Sequence, residues 1–438
     1  MRRTICLLFF LVQLTPAVLS QTTADSLLQS GSLQNCIRYA LVHQPAVHQS
    51  LLDEEIVERS IQSKLADWYP QLNFSYVIEH YPQTPVSIVQ GFPARVSLQN
   101  TSSGQFTLTQ TLFNRDVLLA SSSASDARSH IRQQTNSNKI NVVVGVSKSY
   151  YAVLETEEQI ALLHEDIVRL QQSLKDAYEQ YRGGIVDNID YKRATILLNN
   201  ALTEKKQNEE LLKARYAFLK EQMGYPLQAG LNLEYDSTQI EREAFLDTNQ
   251  TVHFEKRIEY QLLLTQKRLQ EADVAYTMWS FLPSLSAFAN YSLNYQHDDI
   301  SRLYNQNYPS SFVGLQLSFP IFEGGKRLQE IRQAKLELQR IDDDFLLLKN
   351  SIGAEYAQAN ANYKSNLNTY YILKDNLSLA KDVYHTIQLQ YKAGTKTYLE
   401  VITAEADLRE TQVNYTNALY QVLSSKLDVQ KALGTIQY

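Results

Sequence analysis

Two long stretches without proline constrain this 438-residue chain more than any other feature. The first runs from 114 to 182 and contains one glycine, Gly145, and the second runs from 326 to 393 and contains one glycine, Gly353. Since proline and glycine are the poorest helix formers, each stretch predicts a single helix about 100 Å long. The whole chain has only 14 glycines and 10 prolines, so few turns join its elements.

The apolar residues in these stretches predict how the helices pack. They recur in alternating steps of three and four, which is the heptad pattern of left-handed coiled-coil packing. The first stretch carries Ile160, Leu163, Ile167, Leu170, Leu174, Ala177 and Tyr181, and the second carries Leu373, Leu377, Ala380, Tyr384, Ile387 and Tyr391. The two series share one register, 210 residues apart.

The same offset reveals an internal duplication. Tyr181-Arg182-Gly183-Gly184 resembles Tyr391-Lys392-Ala393-Gly394. We therefore divide the chain into a first structural repeat at 21–230 and a second at 231–438. Each repeat is predicted to contain a helix, a strand hairpin, a long helix, a tip turn and a returning helix, which makes the fold mainly α with a small β part.

Four short segments change from helical periodicity to strict alternation of apolar and small polar residues. They lie at about 71–81, 104–112, 284–295 and 312–320, and polar loops at 82–103 and 296–311 join each pair. Alternation of this kind predicts strands with one apolar face. Isolated hairpins are marginal in water, and four strands are fewer than the roughly eight that close a barrel with a bore. If several copies of the chain contribute their strands to one barrel, the hairpins are no longer isolated and there are enough strands to close it.

The N-terminus and the charge balance narrow the function classes. Residues 1–20, with Arg2 and Arg3 before an apolar run, have the form of a signal peptide. The formal net charge is −6, and removal of those two arginines makes it −8, which argues against a nucleic-acid partner. We find no apolar run long enough for a transmembrane helix. Motifs of enzymes are missing too, so we expect no catalytic residues, cofactor or metal.

The duplicated pattern resembles the TolC family of outer-membrane efflux proteins over essentially the whole mature chain. The resemblance depends on three segments: Trp68-Tyr69-Pro70-Gln71-Leu72, Ile321-Phe322-Glu323-Gly324-Gly325, and 391–401 at the second tip. It implies a homotrimer whose pooled strands form a 12-stranded barrel in outer-membrane lipid, continued by a periplasmic α-helical barrel. It also implies two partners, a periplasmic adaptor (membrane fusion protein) and an inner-membrane transporter.

The resemblance further implies a gate at the helix tips. Lys396 stands where family members often have an arginine, Glu400 and Asp190 stand at acidic positions, and Tyr391 at a tyrosine position. A pair between Lys396 and Asp190 or Glu400 would hold neighbouring helices together, whereas the alternative is a solvated ion pair worth about 0–1 kcal/mol. Thr403 replaces a second acid of some relatives, which argues against an acidic ring at that position.

Glycines at the tips and aromatic residues beside the strands have two interpretations each. Gly183, Gly184 and Gly394 are expected to supply the positive φ that ends a helix, and the resemblance adds adaptor docking. The aromatic residues fit an interfacial girdle of a membrane barrel, or an ordinary core if the protein were soluble. They are Trp68, Tyr69, Phe113, Trp279, Phe281 and Phe322.

The function that follows is a passive outer-membrane channel-tunnel that exports small molecules as the exit duct of a tripartite pump. One alternative keeps the fold and changes the cargo, giving the exit duct of a type I protein-secretion system. Two alternatives from other classes are a soluble periplasmic coiled-coil scaffold and an unrecognised hydrolase.

Overall fold

The computed structural model describes residue 28 and residues 30–89, 91–185, 187–235, 241–247 and 250–437. The predicted signal peptide, 1–20, lies outside these residues. The principal helices come in the following order: α1 (Leu33–His43), α2 (Pro45–Leu65), α3 (Arg115–Arg182), α4 (Asn188–Met223), α5 (Ile258–Met278), α6 (Lys326–Lys392) and α7 (Tyr398–Leu433).

The two long stretches are continuous helices. Helix α3 has 68 residues and helix α6 has 67, and Gly145 and Gly353 lie inside them without breaking the hydrogen-bond pattern. Helix α3 begins where the Asn114 side chain accepts a hydrogen bond from the Asp116 amide, which satisfies one of the free N–H groups at a helix start. In the described ranges, no helix combines the length and the apolar character needed to cross a membrane.

The strands form one four-stranded antiparallel sheet and one small hairpin. The strands are β1 (Gln71–His80), β2 (Val86–Val89), β3 (Phe92–Arg95), β4 (Asn100–Phe113), β5 (Ser284–His297) and β6 (Ser310–Ser318). The order in the sheet is β1-β4-β5-β6, so β4 and β5 join the strand pairs of the two repeats. Together with the helices, this confirms the predicted fold class, mainly α with a small β part.

One strand boundary and one loop differ from the sequence pattern. Strand β4 begins at Asn100 rather than near 104, because residues 100–103 pair with both neighbouring strands although they do not alternate in polarity. The segment 82–103 was expected to be a polar loop, and this was wrong in part because β2 and β3 form a hairpin there. Gly91, with φ of +86°, permits the tight turn between them.

The register places apolar residues of all four strands on one face. Leu72 pairs with Leu108, Leu108 with Ala289, and Ala289 with Val313. The opposite face is mostly polar, and its Asn290 accepts hydrogen bonds from Gln105 and Thr107 at 2.9 and 2.6 Å. Phe288 and Phe312 are exceptions on this polar face, where their rings lie edge to face with centroids 6.0 Å apart.

The main core surrounds the middle of α3. Val146, Val153 and Leu154 of α3 are fully buried against Leu219 of α4 and Val422 of α7. The heptad residues nearer the tip are buried to different degrees in the two repeats. The reason is that α3 packs against both α4 and α7, whereas α6 packs chiefly against α7 and α5. Accordingly the heptad residues of α3 are mostly buried, and those of α6 are only partly buried.

Candidate functional site

Both long helices end in the same kind of turn. After α3, the amides of Gly184 and Ile185 donate to the carbonyls of Tyr181 and Gln180 at 3.0 and 2.9 Å. After α6, the amides of Gly394 and Thr395 donate to the carbonyls of Tyr391 and Gln390 at 2.9 and 3.0 Å. These bonds occupy carbonyls that a helix end leaves free, so the two tips are built alike.

Two of the three tip glycines have the conformation that only glycine adopts readily. Gly184 has φ of +71° and Gly394 has φ of +75°. Gly183 has φ of −76°, and its counterpart in the second repeat is Ala393. The expectation of a positive φ at Gly183 was therefore wrong, because a single left-handed residue per turn is sufficient.

Lys396 forms an ion pair within its own turn rather than across the tips. Its Nζ lies 2.5 Å from Oε1 of Glu400, while Oε2 of Glu400 accepts from the amide and hydroxyl of Thr397 at 2.9 and 3.1 Å. Thr397 and Glu400 form the capping box that begins α7. The Lys396 hydrogen bond, with the Thr397 amide, lowers the pKa of Glu400 to about 2.

Asp190 lies in the first turn of α4, close to the tip of the first repeat. Among the described residues, no ion pair joins it to Lys396. The charge of Asp190 affects the pKa of Tyr398. This pKa is raised to about 12, chiefly because the phenol is buried, and the charges of Glu405, Tyr391 and Asp190 raise it further. The Lys396 pair that the structure contains is thus the one with Glu400, and it does not itself connect two helices.

Hydrogen bonds of two tyrosines connect the tips instead. The Tyr391 hydroxyl of α6 donates to Oε1 of Gln180 in α3, 3.1 Å away. Tyr398 of α7 shares a hydrogen bond of 2.8 Å with Ser173 of α3. The family resemblance pointed to Tyr391. Gln180, Ser173 and Tyr398 were missed as site residues, because the spacing of residues in the sequence does not reveal which side chains of distant helices meet.

A small apolar cluster lies behind these bonds. Ala177 of α3, Ala194 of α4, and Tyr398 and Ile402 of α7 are buried together, and Tyr391 packs against them. Small alanines let the helices approach closely, and the tyrosine rings fill the remaining space. The two hairpins, α3–α4 and α6–α7, are therefore in direct contact just above their turns.

Aromatic residues border the sheet at its helical end. A short 3₁₀ turn, Ala66–Trp68, precedes β1, and a matching turn, Trp279–Phe281, precedes β5. Tyr69 is 68% exposed and Phe322 is 85% exposed. Trp68, Trp279 and Phe113 are half-buried and Phe281 is exposed, so the six residues expected to form a girdle all lie at this border.

These hydrogen bonds and the apolar cluster join the ends of the two hairpins. No group of three or more metal-binding side chains was found among the described residues. The arrangement is an open sheet with one apolar face, continued by long helical hairpins whose ends are joined by hydrogen bonds of uncharged side chains. This is the class of outer-membrane channel proteins.

Comparison with known proteins gives the same class. The family model described as "Outer membrane efflux protein" matches residues 36–224 and 263–435, and the chain belongs to this family. It is 19% identical to the outer membrane protein TolC of Vibrio cholerae, over 94% of this chain and 93% of TolC. This confirms the resemblance to the TolC family inferred from the sequence.

Solved structures share the fold. CusC, described for its folding and transmembrane channel formation, superposes with a TM-score of 0.74 and 18% identity, over 93% of this chain and 95% of CusC. The CmeC outer membrane channel of Campylobacter jejuni superposes with a TM-score of 0.72 and 15% identity, over 92% of this chain and 85% of CmeC. The agreement covers both the sheet and the long helices.

Proposed function

We propose that three copies of this chain close into one channel and that it exports small molecules as the exit duct of a tripartite efflux pump. The observation that carries the proposal is the open sheet. Strands β1 and β6 are its edges, and β1 is exposed along its whole length. Unpaired strand edges invite pairing with another chain, and twelve pooled strands exceed the number that encloses a bore.

The exposed apolar face supports a membrane location for these strands. Val313, Leu315 and Leu317 of β6 are 82%, 70% and 66% exposed, and Leu72 of β1 is 68% exposed. A band of this kind suits lipid, while the polar face with Asn290 suits a water-filled interior. The six aromatic residues at the helical end would then form the interfacial girdle.

Disulfide cross-linking between the edge strands tests the assembly. Within one chain, β1 and β6 are separated by two strands, or about 14 Å at the usual strand spacing, which no disulfide spans. We expect Ser75→Cys, combined with a cysteine scanned through 311–317, to give a covalent trimer in the outer membrane. Cysteines in the central strands β4 and β5 are the control, and a product that remains monomeric at every scanned position would contradict the proposal.

The tips are the proposed gate and docking region. The Tyr391–Gln180 and Tyr398–Ser173 bonds hold the hairpins together, and Lys396, Glu400 and Asp190 set the charge around them. A Cβ atom added at Gly184 or Gly394 would meet no atom of the described residues within 4 Å, so these turns leave room for an adaptor protein, and Gly183 belongs to the same proposed docking region. An inner-membrane transporter would supply the energy for export.

The cargo can be tested in the native host. We expect deletion of the gene to raise the intracellular accumulation of a fluorescent dye and to leave the secreted proteins unchanged, and the intact gene to restore dye export. Loss of a secreted protein with normal dye export would favour the type I secretion duct. Recovery of the protein only from the soluble periplasmic fraction would favour the coiled-coil scaffold.

A further inference from the structure

A group of charged side chains is buried between the two helical hairpins, roughly 10–25 Å from the tip ends of their helices by helix rise. It consists of Asp166 and Arg169 of α3 with Glu405 and Arg409 of α7, and we call it the inter-hairpin charge cluster. The side chains of Asp166 and Glu405 are 2% and 7% exposed, and those of the arginines about 30%. None of these four residues belongs to the tip contacts described above.

The carboxyl groups of Asp166 and Glu405 differ in how well they are hydrogen-bonded. Arg169 donates a direct hydrogen bond to Asp166, but its Nε lies 3.6 Å from Oε1 of Glu405. Arg409 Nε lies 3.8 Å from Oδ2 of Asp166. Oδ2 of Asp166 and Oε1 of Glu405 are buried without a hydrogen-bond partner. A buried carboxylate left in this state is costly, so the weaker-held group, Glu405, is the one that gains by taking a proton.

Every helix packed around the cluster contributes a titratable or charged group. Besides the four members, Glu165 of α3 lies 3.9 Å from Arg169, and Glu204 of α4 lies 3.6 Å from Arg409. Tyr384 of α6 is close enough for its pKa to be affected by Glu405, although burial is the main reason that this pKa is raised. A cavity of about 20 Å³ adjoins Asp166, Glu405 and Arg409, which is room for one water molecule.

We propose that the inter-hairpin charge cluster is a proton-linked joint, which holds α3 against α7 when Glu405 is protonated and loosens when Glu405 ionises. Burial, followed by the charge of Asp166, raises the pKa of Glu405 to about 7. A carboxyl whose pKa is raised in the packed state stabilises that state at low pH, and the contribution is lost as the pH rises through the packed-state pKa. The joint is therefore firm in mildly acidic surroundings and weak above neutrality.

Amide hydrogen exchange of the assembled protein in lipid nanodiscs tests this joint. After correction for the intrinsic pH dependence of exchange, we expect local opening around 160–172 and 400–412 to increase several tens of fold from pH 5 to pH 8. That factor follows if the pKa of Glu405 falls from about 7 to its ordinary 4.5 on opening. The Glu405→Gln variant imitates the protonated form and should stay protected at both pH values.

Glu410→Gln is the matched control, because Glu410 is an exposed residue of the same helix and its variant should keep the wild-type pH dependence. The proposal is overturned if the wild-type segments open equally at pH 5 and pH 8, or if Glu405→Gln retains the pH dependence. It is also overturned if Glu405→Gln fails to assemble, because the proposed joint is firm when the side chain at position 405 is uncharged. The joint rests on contacts within one chain. A negative result in hydrogen exchange would therefore contradict the joint but not the proposed duct, which the disulfide cross-links test separately.

Discussion

The hydroxyl of Tyr391 donates a hydrogen bond to Oε1 of Gln180, 3.1 Å away, although the two residues are 211 positions apart in the chain. They occupy the last turns of α6 and α3, which are equivalent helices of the two repeats. The bond thus links the ends of the two hairpins. Neither partner is charged, so it can be broken and remade at modest cost.

We expect Tyr391→Phe to increase the open fraction of the channel. The variant keeps the ring but removes the hydroxyl, and a neutral hydrogen bond of this kind is worth about 0.5–1.5 kcal/mol, or roughly 2- to 10-fold in an equilibrium. Planar-bilayer conductance is the measurement. Tyr371→Phe, which changes an exposed tyrosine of the same helix, is the control, and equal conductance of the two variants would show that the bond does not hold the tips closed.

The two glycines of the first tip should respond differently to alanine. Gly184→Ala places a Cβ at φ of +71°, which costs about 1–2 kcal/mol and should loosen the turn between α3 and α4. Gly183→Ala, at φ of −76°, should be tolerated, as alanine is at the equivalent position 393. Amide exchange in 183–190 measures both variants, and similar exchange in the two would mean that the turn is not built on Gly184.

The start of α7 should depend on acid pH through Glu400. Because the pKa of this side chain is lowered to about 2 by Lys396 and the Thr397 amide, the capping interaction is complete above pH 4.5 and is lost as the pH falls toward 2. We expect amide exchange of residues 398–401, corrected for its intrinsic rate, to show this loss. Glu400→Gln should show no such titration, whereas Asp407→Asn on the same helix should titrate like the wild type.

Adjacent residues of β6 should differ in their tolerance of arginine. Leu315 is on the apolar face and 70% exposed, so Leu315→Arg should cost about 2–4 kcal/mol if it lies near the middle of the membrane. Gln316→Arg, on the polar face, should leave assembly intact. The yield of folded protein in the outer membrane checks both, and the reverse order would mean that the faces are exchanged.

The sequence by itself determined the elements and their duplication. Two helices of nearly seventy residues could be predicted, because proline and glycine are almost absent between 114 and 182 and between 326 and 393. Helix propensity and heptad spacing agree over that whole length. Alternation of apolar and polar residues located the strands of the sheet, because this period of two can be read from a few neighbouring residues. The family followed from the order of these elements.

Only the tertiary structure decided which residues meet. The pairing of β4 with β5 and the hydrogen bond between Tyr391 and Gln180 depend on how helices and strands from the two repeats are placed in space. The Lys396–Glu400 pair is local, four residues apart, but that no ion pair joins Lys396 to Asp190 among the described residues depends on the same placement. The charge cluster of Asp166, Arg169, Glu405 and Arg409 is of the same kind. In the sequence these are ordinary charged residues of two long helices, and burial alone makes them costly, because a neighbouring helix removes the water that would otherwise solvate them.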